Sequence, residues 1–163
     1  MSRAAPFAVA ALLALTPTLA AAADPTAFAS AADIDRAVAD MAASLKPGQH
    51  FLYHPLLKDG VSTVALEYWT APGPPAVHPA QAEYVVVVAG AGTMISGGQL
   101  AGAHTTNPDL VEGSGIVGGV TRKLVPGDAF LVPAGVPHWF DVTGGRLVLL
   151  GTKQPRPAAA AKP

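Results

Sequence analysis

Apolar residues recur along this chain with two different periods, and the change from one to the other divides it. Over residues 30–45, Ile34, Val38, Met41 and Leu45 fall four, three and four apart, the spacing of one face of an α-helix. Ser30 stands where an N-cap side chain is needed, Asp33 follows three positions on, and Lys46-Pro47-Gly48 supplies a stop. One amphipathic helix is therefore predicted here, its stripe laid against the outside of the main body or across a partner subunit. From His50 onward the period shortens to two, and short apolar runs alternate with Gly and Pro clusters, the mark of strands. Strands are expected at 50–57 and 61–70, joined through Lys58-Asp59-Gly60, because Asp-Gly tolerates the positive φ of a hairpin turn. Further strands are expected at 83–89 and 93–96 around a turn at Gly90-Ala91-Gly92, then at 121–125, 129–132 and 146–153, the last closing the sheet.

Within residues 83–88 an inward Glu83, Val85 and Val87 would leave Tyr84, Val86 and Val88 facing outward, and these are also apolar. A second sheet, the helix or a neighbouring subunit must cover them. Residues 99–119 form a Gly-rich excursion holding His104 and the run GSGIVGG. It lacks the Lys-Ser/Thr ending of a phosphate loop, so it is read as a connection overhanging one end of the sheet.

The ends of the chain follow other rules. Residues 1–23 carry Arg3, an apolar stretch shorter than a membrane span, and a small-residue end at Ala21-Ala22-Ala23 before Asp24, the layout of a cleaved secretory signal peptide. Cleavage at that point leaves a secreted or periplasmic protein with no membrane anchor. Residues 24–48 are then an extension bearing the helix, 49–153 the β domain, and 154–163 a Pro- and Ala-rich tail expected to be disordered. Composition narrows the class. The 163 residues are half apolar, rich in Gly and Pro, without cysteine, and carry a net charge of −1. Nothing in that balance offers the basic footprint of nucleic-acid binding, and stability cannot come from disulfides.

The chemistry concentrates in two stretches. In 127–140, GDAFLVPAGVPHWF, a turn leads into the strand 129–132, a rigid Pro133-Ala-Gly-Val-Pro137 turn follows, and His138 opens the next strand between a proline and two aromatic residues. An imidazole so restricted suits metal ligation. In the second stretch His78 precedes Pro79, and Glu83, one of three glutamates in the chain, heads a run of four valines. Five residues apart, the two side chains would oppose each other on a straight strand. A hairpin at 79–82 would bring them to one face, and a carboxylate among valines needs a metal or a proton to compensate its burial. His50 and His54 have no partner at a recognisable spacing and are assigned to surface or rim. Tyr53, Glu67, Tyr68 and Trp69 read first as sheet packing and second as pocket lining.

The two stretches resemble the motifs of the cupins, small all-β proteins with a double-stranded β-helix, or jelly-roll, barrel. His78, Glu83 and Gly90 match the first motif, and Gly127, Pro133, Gly135 and His138 match the second. Two positions depart from the pattern: Ala76 stands where a further histidine is usual, and Val142 where an asparagine often is. The resemblance implies an all-β barrel with one N-terminal helix, pairing of two copies through outward faces, and a small-molecule ligand inside. His78, Glu83 and His138 would then hold one divalent ion on the inner wall, a set suited to iron but accepting zinc, manganese, nickel or copper. Such a centre serves dioxygenase, isomerase or lyase chemistry, and the sequence names no separate catalytic acid or base. The alternative is a metal-free barrel that binds a small molecule without catalysis.

Overall fold

The computed structural model describes Met1 and residues 24–156; the rest of the segment read as a signal peptide and the last seven residues lie outside the described residues. Helix α1, Ala31–Ser44, begins where the sequence places it: the Ser30 side chain accepts from the Asp33 backbone, and the Asp33 carboxylate accepts in return from the Ser30 backbone. Its Val38 and Met41 are buried against Leu66, Tyr68 and Val148 on the outer face of the sheet, with Ile34, Leu45, Val88 and Leu150 around them. The helix thus covers part of the outward apolar face, including Val88. Tyr84 and Val86, farther along, stay 49% and 40% exposed.

All else is β. Strands β1 (Phe51–Asp59) and β2 (Ser62–Trp69) form the expected hairpin. Its turn is one residue later than Asp-Gly suggested: Asp59 pairs with Ser62, so Gly60 and Val61 are the central pair, and Gly60 takes the positive φ. After the two-residue β3 (Ala76–Val77) comes β4 (Gln81–Ser96), a single strand of sixteen residues. The predicted reversal at Gly90-Ala91-Gly92 does not occur. These glycines serve a different purpose: a Cβ at Gly90 would strike the Arg146 backbone and one at Gly92 the Asp141 backbone, so they let two strands approach where both bend.

The excursion at 99–119 is ordered into short strands: β5 (Gln99–Ala101), β6 (His104–Asn107), β7 (Leu110–Glu112) and β8 (Gly115–Val117). Strands β9 (Val120–Leu124) and β10 (Ala129–Val132) follow, and β11 (His138–Pro155) is an eighteen-residue partner of β4 along its length. The last strand runs through Gln154 and Pro155, two residues into the stretch expected to be tail. A break in the β4–β11 register between Val142 and Leu147 sits opposite the glycines. The two long strands therefore pass through both walls. In one wall β1, β2, the C-terminal half of β11, the N-terminal half of β4 and β10 lie side by side; in the other, β6, β7, β3, the start of β11, the end of β4 and β9. Strands β5 and β8 pair apart from them. This is the all-β jelly-roll barrel expected from the motifs. Val85, Val87, Met94, Leu124, Val132, Phe140, Leu147 and Leu149 fill its interior at one end, and the other end is left for the site. Among the described residues no helix is long and apolar enough to cross a membrane.

Candidate metal centre

Three elements deliver the three candidate ligands to one place. His78 follows β3, and residues 79–80 bend the chain into β4, so that Glu83 comes to the same inner wall. This is a bend, not the paired hairpin expected, since β3 bonds to β11 and β7 and not to β4. His138 opens β11 beside Ala76 of β3. The rigid turn before it is anchored to the first motif, because the Gly135 amide donates to the His78 carbonyl at 2.9 Å. Gly135 needs φ +81 to do so. One ligand atom from each of His78, Glu83 and His138 lies within 4.8 Å of the others, and the two imidazole centroids are 5.4 Å apart.

Burial and hydrogen bonding then decide what these atoms offer. Glu83 and His138 are the buried polar residues of the described chain, each 4% exposed. His78 Nδ1 lies 3.0 Å from the Asp109 carbonyl, and His138 Nδ1 lies 3.1 Å from the Val136 carbonyl. A carbonyl oxygen only accepts, so each ring carries a proton on Nδ1 and, when neutral, presents a bare Nε2 lone pair to the interior. His138 Nε2 is 3.2 Å from Glu83 Oε2, yet that oxygen has no hydrogen-bond partner. Two lone pairs facing each other in a buried site repel unless a proton or a cation lies between them. The separation is close to the roughly 3 Å between neighbouring ligands that each stand about 2.1 Å from one ion. The three residues therefore fit a metal ion.

The other carboxylate oxygen is occupied. Glu83 Oε1 lies 2.9 Å from Lys153 Nζ, and Lys153 reaches Glu67 Oε1 at 3.2 Å, while Glu67 Oε2 accepts from the Trp69 indole at 3.3 Å. Burial alone would raise the Glu83 carboxyl, but the adjoining His138, when a proton lies between the two in place of an ion, and the Lys153 ammonium outweigh it and hold the group ionised, with a pKa of about 2. Burial also pushes Glu67 up, against the pull of Lys153 and with the help of Glu83. The opposite balance holds at Lys153, where burial lowers the ammonium and the two carboxylates more than restore it, leaving it raised. Burial lowers His78 below its usual value and favours the neutral ring.

Beside these groups is a cavity of about 400 Å³ lined mainly by apolar side chains, among them Phe51, Trp69, Ala76, Leu110, Trp139 and Phe140. All three glutamates of the chain, Glu67, Glu83 and Glu112, line it. Ala76 adds a methyl group where a histidine would have filled space. His50 sits at the rim and contacts Thr70, while His54 and His104 are exposed and apart from the site. Of the residues first read as sheet packing, Glu67 and Trp69 face the cavity, whereas Tyr68 packs under α1. Lys153 and the Asp109 carbonyl were missed altogether. Lys153 had one legible signal: it follows Leu147 and Leu149 at even spacing on a strand, which puts a charge on the inward face.

Fold and site together define a small jelly-roll barrel with a two-histidine, one-carboxylate cluster on its inner wall. A family model described as Cupin matches residues 53–158, and the chain belongs to the cupin family. No curated protein matches it by sequence. Solved structures similar to it include hydroquinone 1,2-dioxygenase PnpCD in complex with Cd2+ and 4-hydroxybenzonitrile, at 18% identity and a TM-score of 0.54, with 77% of this chain and 75% of that one covered. The DMSP lyase DddQ from Ruegeria pomeroyi DSS-3 is 21% identical with a TM-score of 0.52, over 84% and 70% of the two chains. An oxalate oxidase is 18% identical with a TM-score of 0.42 over 58% of this chain, which spans only 42% of that structure's length. At these identities the likeness shows the fold alone.

Proposed function

We propose that this chain is a secreted cupin that holds one divalent metal ion through His78, Glu83 and His138 and acts on a small organic molecule bound in the adjoining cavity. The observation that carries the reading is the Glu83 oxygen left without a hydrogen bond 3.2 Å from an imidazole nitrogen whose partner nitrogen already donates to a carbonyl. An ion bound there would supply Lewis-acid chemistry, or, as iron, redox chemistry with oxygen. The chain's own part is to aim both imidazoles through their Nδ1 contacts, to hold Glu83 ionised, and to limit water through the aromatic walls of the cavity. Ala76 leaves room beside the ligands for an oxygen of the bound molecule or for water. A dioxygenase, an isomerase and a lyase are all consistent with that arrangement.

Elemental analysis of the purified protein tests the reading. About one equivalent of a transition metal is expected, and alanine at His78, Glu83 or His138 should each weaken binding at least tenfold, whereas His54→Ala and His104→Ala should leave it unchanged. Equal metal retention by all of these variants would remove the ion from the barrel. A second reading, a metal-free binding protein, is favoured by one observation: Lys153 already gives Glu83 a positive partner. A metal-free wild type that still binds small aromatic molecules in the cavity would establish that alternative.

We extend the proposal to assembly. The outward apolar surface beneath α1 continues past Val88 and Leu150 to Tyr84, Val86 and Leu131, which are uncovered, and a second copy of the chain is the proposed cover.

A further inference from the structure

Lys153 is the direct cross-strand partner of Glu83 in the β4–β11 ladder, and it occupies an inward position. An ammonium there is a poor neighbour for a cation, since like charges a few ångströms apart in a partly desolvated site repel strongly. Two features remove the difficulty. Glu67, on β2, offers a carboxylate to the ammonium at 3.2 Å, and its second oxygen is taken by the Trp69 indole, so both of its oxygens are engaged away from the three candidate ligands. Lys153 contacts Oε1 of Glu83, and the uncapped Oε2 is the oxygen facing His138. Glu67, Glu83 and Lys153 also line a second cavity of about 210 Å³, so the three side chains together form the wall between it and the main cavity.

We propose that Lys153 and Glu67 are positioning residues of the metal centre: Lys153 holds back one oxygen of Glu83 so that only the other reaches the ion, and Glu67 cancels the lysine charge that would otherwise expel it. This rests on the metal-centre reading above and adds two residues that touch no metal. It has two consequences that simple structural support does not share. Loss of the Glu67 charge, with its shape kept, weakens metal binding from a distance. Loss of the Lys153 ammonium frees Glu83 to ligate through both oxygens and so changes the coordination of the ion.

Cobalt(II) is the probe, because its visible d–d absorption reports coordination number and its titration reports affinity. With the full mature chain, Glu67→Gln should bind cobalt about tenfold more weakly or worse, as expected for an uncompensated charge near a dication. Lys153→Met should show a cobalt spectrum different from that of the wild type. The double variant Glu67→Gln/Lys153→Met, which buries neither charge, should recover the affinity lost by Glu67→Gln while keeping the altered spectrum, and it carries the spectral test if Lys153→Met alone does not fold. The proposal is overturned if Glu67→Gln binds cobalt as tightly as the wild type, or if removing Lys153 leaves the spectrum unchanged. A wild type that takes up no cobalt at all would sink the metal centre itself and this inference with it, whereas the other two results sink only the inference.

Discussion

At the scale of single residues the site is a problem of charge. Glu83 is buried beside valines and is held ionised at about 2 against a usual value of 4.5, chiefly because His138 and Lys153 outweigh its burial. A carboxyl whose folded value is depressed stabilises the fold above its unfolded value, and that contribution is lost as pH falls toward the folded one. The metal-free protein should therefore lose stability between about pH 4.5 and pH 2, a range that urea titrations at stepped pH would cover. In Lys153→Met the folded value should move up toward the unfolded one, since the pull of the ammonium is gone, so the loss should be smaller and complete at higher pH. Identical acid profiles for the two proteins would show that Lys153 does not govern Glu83. Ala76→His is the converse change. Its side chain would enter on the same face as His78, two residues on, and should tighten metal binding while shrinking the space beside the ion; an unchanged cobalt affinity would mean that Ala76 does not border it.

At the scale of elements, the sequence revealed most where local chemistry decides and least where long strands meet. The helix, its cap and its stripe were legible because each depends on neighbours three or four residues away, and the alternation from Glu83 to Val87 correctly set inside from outside. The Gly90-Ala91-Gly92 step was misread as a reversal because glycine marks both turns and close approaches, and only the distant Arg146 and Asp141 backbones tell them apart. For the same reason 99–119 looked like a loop: its short strands exist through pairing with β3 and with each other, which no local pattern announces. Two glycines separate the effects. Gly135 has positive φ with open space around it, so Gly135→Ala should cost about 1 kcal/mol from backbone strain. Gly90 has positive φ and a backbone wall, so Gly90→Ala should cost clearly more, about 3 kcal/mol. Denaturation midpoints that reversed this order would contradict the close-approach account.

At the scale of the molecule, the helix and the centre lie on opposite sides of one wall. Met41→Ala should destabilise the protein by about 2 to 4 kcal/mol through the cavity it leaves, yet cobalt affinity measured on the folded fraction should not move, because Met41 packs against the outer face of the sheet. A parallel loss of affinity would mean that the helix braces the site. The second molecular prediction concerns assembly. Sedimentation should find a dimer, and Leu131→Glu, which puts a charge on the uncovered outer face, should shift it to monomer; a wild type already monomeric at high concentration would remove the second copy from the account. The family and the barrel could be read from two motifs spanning fewer than half of the residues. The Lys153–Glu67 pair could not, because its members belong to strands far apart in sequence that become neighbours only when β11 lies between β2 and β4.

The central claim is that His78, Glu83 and His138 share one ion. Crystals of the cobalt-loaded protein, measured on both sides of the cobalt absorption edge, give an anomalous difference map that tests it most directly. The account predicts one strong peak about 2 Å from an imidazole nitrogen of each histidine and from a single oxygen of Glu83, with Lys153 still on the other oxygen. A map with no peak between these side chains, or with its peak at His50 or at the exposed His54 or His104, would contradict it.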